Sequence, residues 1–162
     1  MPELSRRTLL AAGASTVGLT TAGCLGDSTG EWESGTTIPA TSATQYQGPN
    51  CNCCDEYARY LQGHLETTLA VEVRDDLAAV KNERGIDGPL QSCHTVELDE
   101  YVVEGHIPVD VVGTLLEDRP DITGIALPGM PGGAPGMGGV KDETWTVYVI
   151  GSGSKPRTFT EV

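Results

Sequence analysis

Cys51-Asn52-Cys53-Cys54-Asp55-Glu56-Tyr57 is the stretch from which both the fold and the chemistry of this chain are read. Three thiols fall within four residues, directly ahead of a segment whose apolar positions Tyr57, Leu61 and Leu65 recur at a spacing of four. That spacing predicts a helix from Asp55 to about Thr67, with the cysteines at its start. Cysteine used as core filler has no reason to cluster in this way. At a helix N-terminus the unpaired N–H groups and the positive end of the helix dipole favour thiolate over thiol. A turn there can aim Cys51, Cys53 and Cys54 at one point, either to hold a soft metal ion or to attack a disulfide. The alternative reading is a Cys51–Cys54 disulfide that staples the helix start, which leaves Cys53 and the distant Cys93 to be explained.

Working outward, Ala43 to Gln47 reads as a strand and Gly48-Pro49 as a turn, while Leu69 to Val73 reads as a second strand. Asp75 and Asp76 can cap a helix from Leu77 to about Arg84 that Gly85 stops. Thr95–Leu98 and Tyr101–Glu104 read as a hairpin across Asp99-Glu100, and Pro108 opens a helix from Val109 to Glu117 that ends before Pro120. Thr144 to Ile150 alternates as a strand, with Thr158 to Val162 placed to pair with it and extend the sheet edge. Strand, cysteine motif, helix, strand, helix, hairpin, helix is the order of a thioredoxin-like α/β domain, with a mixed central sheet and flanking helices.

In such a fold the segment entering the third strand faces the cysteine motif, and Cys93 falls there. Four thiolates, Cys51, Cys53, Cys54 and Cys93, therefore converge, a number suited to a Cu(I)-thiolate centre of one or several ions. Zinc is the second expectation, although its all-cysteine sites ordinarily use two separated C-x-x-C knuckles, which this sequence lacks. A dithiol oxidoreductase would use Cys51 and Cys54 as its C-x-x-C pair, but Cys53 intrudes and would invite mixed disulfides. Asp55 and Glu56 add negative charge beside the thiols, which favours a bound cation over a bare thiolate. His94 joins the ligand set if a turn, rather than an extended strand, separates it from Cys93. His106, in Gly105-His106-Ile107-Pro108, is expected to make a structural hydrogen bond at a strand end, with ligation as the alternative. His64 is expected on the polar side of the first helix, in solvent. Met130 and Met137 sit in a Gly/Pro-rich loop, Leu127–Gly139, with little core to fill, and their thioethers are soft donors suited to Cu(I); a lid whose methionines pack on the domain is the alternative.

From Gly48 to Gly138 the chain resembles the CopG-like family of small periplasmic metal-binding proteins, long catalogued as a domain of unknown function and associated with copper resistance. The resemblance is carried by Cys51-x-Cys53-Cys54, Asp76–Lys81, Leu90-Gln91-Ser92-Cys93-His94-Thr95, Tyr101–Pro108 and Pro128–Met137. It implies a thioredoxin-like fold and a copper site on the four domain cysteines. Asn52 stands where glycine is common in the family, and a long acidic tether is not a family feature.

The chain has 162 residues, enough for one domain with a core, and a formal charge of −13 with only 10 Lys and Arg excludes a phosphate-backbone partner. An acidic surface with scarce lysine fits a halophilic source, with a metal-buffering surface as the alternative. Ser5-Arg6-Arg7-Thr8-Leu9-Leu10 opens an apolar run too short to span a bilayer, which reads as a twin-arginine export signal. Thr21-Ala22-Gly23-Cys24 resembles a lipobox, with Thr21 where leucine is usual, and makes Cys24 the expected lipidation site at the outer face of the cytoplasmic membrane. Residues 1–23 are accordingly a signal peptide, 24–41 a flexible acidic tether in which Trp32 brushes the domain surface, and 42–162 the metal-binding domain. Two function classes stay open: an extracytoplasmic protein that sequesters, relays or redox-cycles copper, with an envelope copper-handling partner, and a thiol-disulfide oxidoreductase.

Overall fold

The computed structural model of the protein describes Trp32, residues 34–153 and residues 155–162. Arg6, Arg7 and Cys24, with the expected export signal and anchor, lie outside the described residues. The elements follow in the order β1 (Ala43–Gln47), α1 (Asn52–Gln62), β2 (Ala70–Val73), α2 (Leu77–Glu83), β3 (His94–Leu98), β4 (Tyr101–Glu104), α3 (Val109–Asp118), β5 (Gly124–Ala126), β6 (Thr146–Ile150) and β7 (Thr158–Glu161). The strands form one mixed sheet ordered β2-β1-β3-β4-β5-β6-β7, in which β1–β2 and β4–β5 run parallel and the other neighbours antiparallel. This is the α/β class, mixed sheet and flanking helices that the sequence leads one to expect.

Strand periodicity divides the core in two, because successive side chains leave a strand on opposite faces. Val96, Leu98, Val103, Ile125 and Val147 pack with Tyr57, Tyr60 and Leu61 of α1 and Val109, Val112 and Leu115 of α3. Val102, Ala126 and Ile150 turn the other way and pack with Ile86 and Leu90, from the segment that follows α2. Each fully buried aliphatic or aromatic side chain contributes about 1.5–3 kcal/mol, so the larger cluster dominates the hydrophobic stabilisation and fixes α1 on the sheet.

Three expectations shift. Helix α1 begins at Asn52 rather than Asp55 and ends at Gln62, five residues short of Thr67. Its early start places Cys53 and Cys54 in the first turn, with Cys51 as N-cap. Strand β5, a three-residue segment between Pro120 and the Met loop, is too short to show a periodicity in the sequence. The tether reading also fails at its C-terminal end. Ile38 is fully buried and bridges Leu65, and Ala40 is buried too. The Thr36 hydroxyl bonds the Asp110 carboxylate. Asp99, at the hairpin turn with φ 50°, accepts from the backbone N–H of Thr41 and of Ser42, each at 3.0 Å, and from the Thr41 hydroxyl at 2.7 Å. Those bonds hold its carboxyl below the usual carboxylate range and pin the chain where it enters β1. Trp32 does contact the domain: its indole stacks on Trp145 with ring centres 5.7 Å apart and donates to the Gly133 carbonyl at 2.6 Å.

Candidate metal centre

Helix α1 opens on a cysteine instead of a hydrogen-bonding cap residue. The Cys51 carbonyl accepts from the N–H groups of Cys54 and Asp55, both at 3.1 Å, while its side chain caps nothing. The thiol is thereby left to sulfur chemistry, and Cys51 is joined to Cys54 as a disulfide. The alternative pairing weighed from the sequence is thus the one the chain adopts, whereas Cys53 and Cys93 remain free thiols. Sγ of Cys53 stands 3.6 Å from Sγ of Cys51 and 3.9 Å from Sγ of Cys93. All four sulfurs lie within 4.8 Å of one another, so the expected convergence on one point is present. Reduction of Cys51–Cys54 is the condition for all four to act as ligands.

Cys93 belongs to the bend before β3, and it stands at the junction of two donor groups. Its sulfur lies 3.3 Å from Nδ1 of His94 and 2.9 Å from Nε2 of His106. The turn that a His94 role required is therefore present. His106 also goes beyond the structural role expected of it: Nδ1 bonds the Pro135 carbonyl at 2.7 Å, and Nε2 faces the Cys93 sulfur. Both histidines are fully buried and packed edge to face, with ring centres 4.7 Å apart, and Tyr57 lies against both. His64 corrects its expectation: it follows the end of α1, packs against Tyr60 and bonds the Thr36 carbonyl through Nδ1 at 2.8 Å, away from the sulfurs.

The electrostatics favour neutral nitrogen donors and a cation-stabilised sulfur. Burial, followed by the neighbouring His106 and Lys81, holds His94 well below the usual histidine range, and burial lowers His106 as well. Burial, followed by the Cys53 thiol, pushes Cys93 up to about 12. Burial thus favours the thiol over a bare thiolate at Cys93, and a cation bound at the sulfur would offset that penalty.

Two supporting shells went unremarked in the sequence. From β1, the buried Gln45 amide donates to the Cys54 carbonyl at 2.9 Å, and Gln47 donates to the Asp55 carboxylate at 2.6 Å. Polar residues at alternate inward positions of a strand that leads into a cysteine motif are the signal that could have marked them. On the opposite face of the sheet, Lys81 of α2 forms a buried ion pair with Glu104 of β4. Glu104 also accepts from the Ser92 N–H and the Thr95 hydroxyl, each at 2.6 Å, which ties the Cys93 segment to the strand that leads to His106. Gly105, at φ +84°, permits the crossing between them, since a Cβ there would lie 2.5 Å from the Leu127 carbonyl oxygen and 2.9 Å from the Ser92 side chain.

The Gly/Pro/Met loop lies on the site. A Cβ at Gly136, at φ +77°, would approach the Tyr57 nitrogen to 2.6 Å and the Cys53 carbonyl to 2.9 Å. Met137 packs partly buried against the core, while Met130 is 44% exposed, so the two methionines differ in environment. In donor type and burial, the four sulfurs fit a soft ion.

The family described as "Protein of unknown function, DUF411" matches residues 90–137, a stretch that includes Cys93, His94, His106, Met130 and Met137. Among solved structures, a chain called "Copper resistance protein copG- Form 2" is similar at 30% identity with a TM-score of 0.68. The alignment covers 76% of this chain and 98% of that one. Form 1 of the same protein is similar with a TM-score of 0.67, at the same identity and coverage. No curated protein sequence matches the chain.

Proposed function

The chain belongs to the family of the copper resistance protein CopG, and from that membership and the DUF411 match over residues 90–137 we propose that it binds Cu(I) outside the cytoplasm through Cys51, Cys53, Cys54 and Cys93. The observation that carries this reading is the convergence of four sulfurs within 4.8 Å at the start of α1. Reduction of Cys51–Cys54 consumes two electrons and two protons and yields two thiols, so the open form presents four soft donors. Four thiolates around one Cu(I) would leave three uncompensated negative charges in a half-buried site, which favours more than one ion. On this reading Met130 and Met137, which belong to the covering loop, would add thioether donors. Such a site can sequester copper, relay it to an envelope partner, or change its oxidation state at the expense of the dithiol. Arg6 and Arg7 would direct export and Cys24 would carry the lipid that retains the protein at the outer face of the cytoplasmic membrane.

A second reading has its own observation. Cys51–Cys54 is a C-x-x-C disulfide at a helix N-terminus, the arrangement of a thiol-disulfide oxidoreductase. Competition titration of the reduced protein against a Cu(I) chelator separates the two. Replacing any of the four cysteines by serine should weaken Cu(I) binding at least about tenfold, roughly 1.4 kcal/mol. Unchanged affinity in all four variants, together with rapid reduction of insulin disulfides, would transfer the assignment to the oxidoreductase. Cys24→Ser should release the protein from the membrane fraction, and Arg6→Lys with Arg7→Lys should block its export.

A further inference from the structure

The two edges of the sheet are built differently. Every residue of the β2 edge is exposed, Val71 at 46% and Val73 at 60%. Strands β1 and β2 pair in parallel with Gln45 opposite Val71 and Gln47 opposite Val73, and the Arg74 N–H donates to the Gln47 carbonyl at 2.8 Å. Backbone groups alternate in direction along a strand, so those of Ala70, Glu72 and Arg74 serve β1. The N–H and C=O groups of Val71 and Val73 therefore point outward. Opposed residues share a face of the sheet, and Gln45 bonds the Cys54 carbonyl, so the two valine side chains lie on the face that α1 covers.

Sheet edges are ordinarily blunted by lysine, proline or a bulge. The β7 edge follows that rule: Lys155-Pro156 leads into it, and a register shift interrupts its pairing with β6. Strand β2, Ala70-Val71-Glu72-Val73, has none of these. Beside Val71 the edge continues into a groove of about 300 Å³ lined by Ala58, Arg59, Gln62 and Leu69. Charge decides what fits there. Arg74 is held by Asp76 at 2.9 and 3.0 Å and lies 3.8 Å from Glu72, while the exposed Glu66 and Asp75 have no ion pair among the described residues. A second copy would bring the same formal charge of −13. Its four-residue strand, about 13 Å long, would also give a seam far smaller than the roughly 1,200 Å² of a stable interface.

We propose that β2 is a docking edge for an extended, basic segment of a partner protein, which adds to the sheet as an eighth strand. Its backbone pairs with the outward N–H and C=O groups of Val71 and Val73. Its apolar side chains lie over the two valines and in the groove beside α1, and its alternate lysine or arginine side chains meet Glu72 and the neighbouring carboxylates. Such a segment lies two strand spacings, about 10 Å, from β1, whose Gln45 and Gln47 brace Cys54 and Asp55. The partner is thus seated near the start of α1 without contact to a sulfur, and the edge does not depend on whether a metal is bound.

The test titrates the full chain with a labelled peptide of alternating valine and lysine, and with a valine–glutamate peptide of the same length. The lysine peptide should bind at least tenfold more tightly. Hydrogen exchange should show the Val71 and Val73 amides unprotected in the free chain and protected in the complex. Val73→Pro deletes an outward N–H and leaves the β1 ladder whole, so it should weaken binding at least tenfold while the melting temperature barely moves. A second measurement needs no variant. Peptide N-methylated at every valine and peptide N-methylated at every lysine each block one edge of the added strand, so one of the two should bind and the other should not. Equal binding of the lysine and glutamate peptides, protection away from β2, or indifference to both methylation patterns would overturn the proposal. Protection of Val71 and Val73 that rises with protein concentration in the absence of peptide would overturn it too, by giving the edge to a second copy of the chain.

Discussion

The Cys93 sulfur lies 2.9 Å from Nε2 of His106, and the same imidazole is held on its far side by the Pro135 carbonyl at 2.7 Å. One side chain thus links the cysteine at the entry to β3 with the Gly/Pro/Met loop. Disturbance of the loop is expected to be felt at the sulfur.

Gly136→Ala tests that link. The added Cβ meets the backbone of Tyr57 and Cys53 in a left-handed conformation, so the loop must lift or strain. A cost of about 1–3 kcal/mol is expected in urea denaturation, together with faster loss of Cu(I) to a chelator. Gly138→Ala, where a Cβ meets nothing within 4 Å, is the control and should leave both values nearly unchanged.

The Lys81–Glu104 pair predicts an asymmetry. Glu104→Gln leaves a buried lysine charge without its counter-ion and should cost about 3–5 kcal/mol. Lys81→Met combined with Glu104→Gln removes both charges and keeps an acceptor for the Ser92 N–H, so most of that loss should be recovered. Equal destabilisation by the single and double changes would show that Glu104 acts through its hydrogen bonds and not through charge.

His94 and His106 make the metal-free fold sensitive to acid. Both have folded-state pKa values below the usual histidine value, so between those values and about 6.5 the unfolded chain binds more protons than the folded one. Stability is therefore complete above about pH 6.5 and falls as the pH drops below it, by up to about 1.4 kcal/mol per pH unit for each histidine. Melting temperatures measured from pH 8 to pH 5 should show this decline, and His94→Gln with His106→Gln should flatten it.

Met130→Leu with Met137→Leu keeps apolar bulk while it deletes both thioethers. Copper release to a chelator should quicken and the melting temperature of the metal-free protein should barely move. Unchanged release would leave the loop with a covering role only.

The element order was legible because α1 and α3 carry apolar residues at helical spacing and the β3–β4 hairpin alternates around Asp99-Glu100. The cysteine cluster was legible because three thiols in four residues have no packing explanation. The start of α1 was not, since Asn52 and the cysteines are poor helix formers and only docking of Tyr57, Tyr60 and Leu61 extends the helix back over them. His106 was read as structural because its contact with Cys93 depends on Gly105 folding one segment against another, thirteen residues apart in sequence. Gln45, Gln47, Lys81 and Glu104 stayed silent for a related reason: polar residues in amphipathic elements look solvent-facing until the sheet that buries them is assembled.

The hydrogen bond from Trp32 to Gly133 joins residues 101 positions apart. That one bond couples the chain ahead of β1 to the loop whose Pro135 and Gly136 lie over His106 and Cys53. A change that frees the Trp32 indole is therefore expected to loosen the cover of the sulfurs from a distance, without touching a donor.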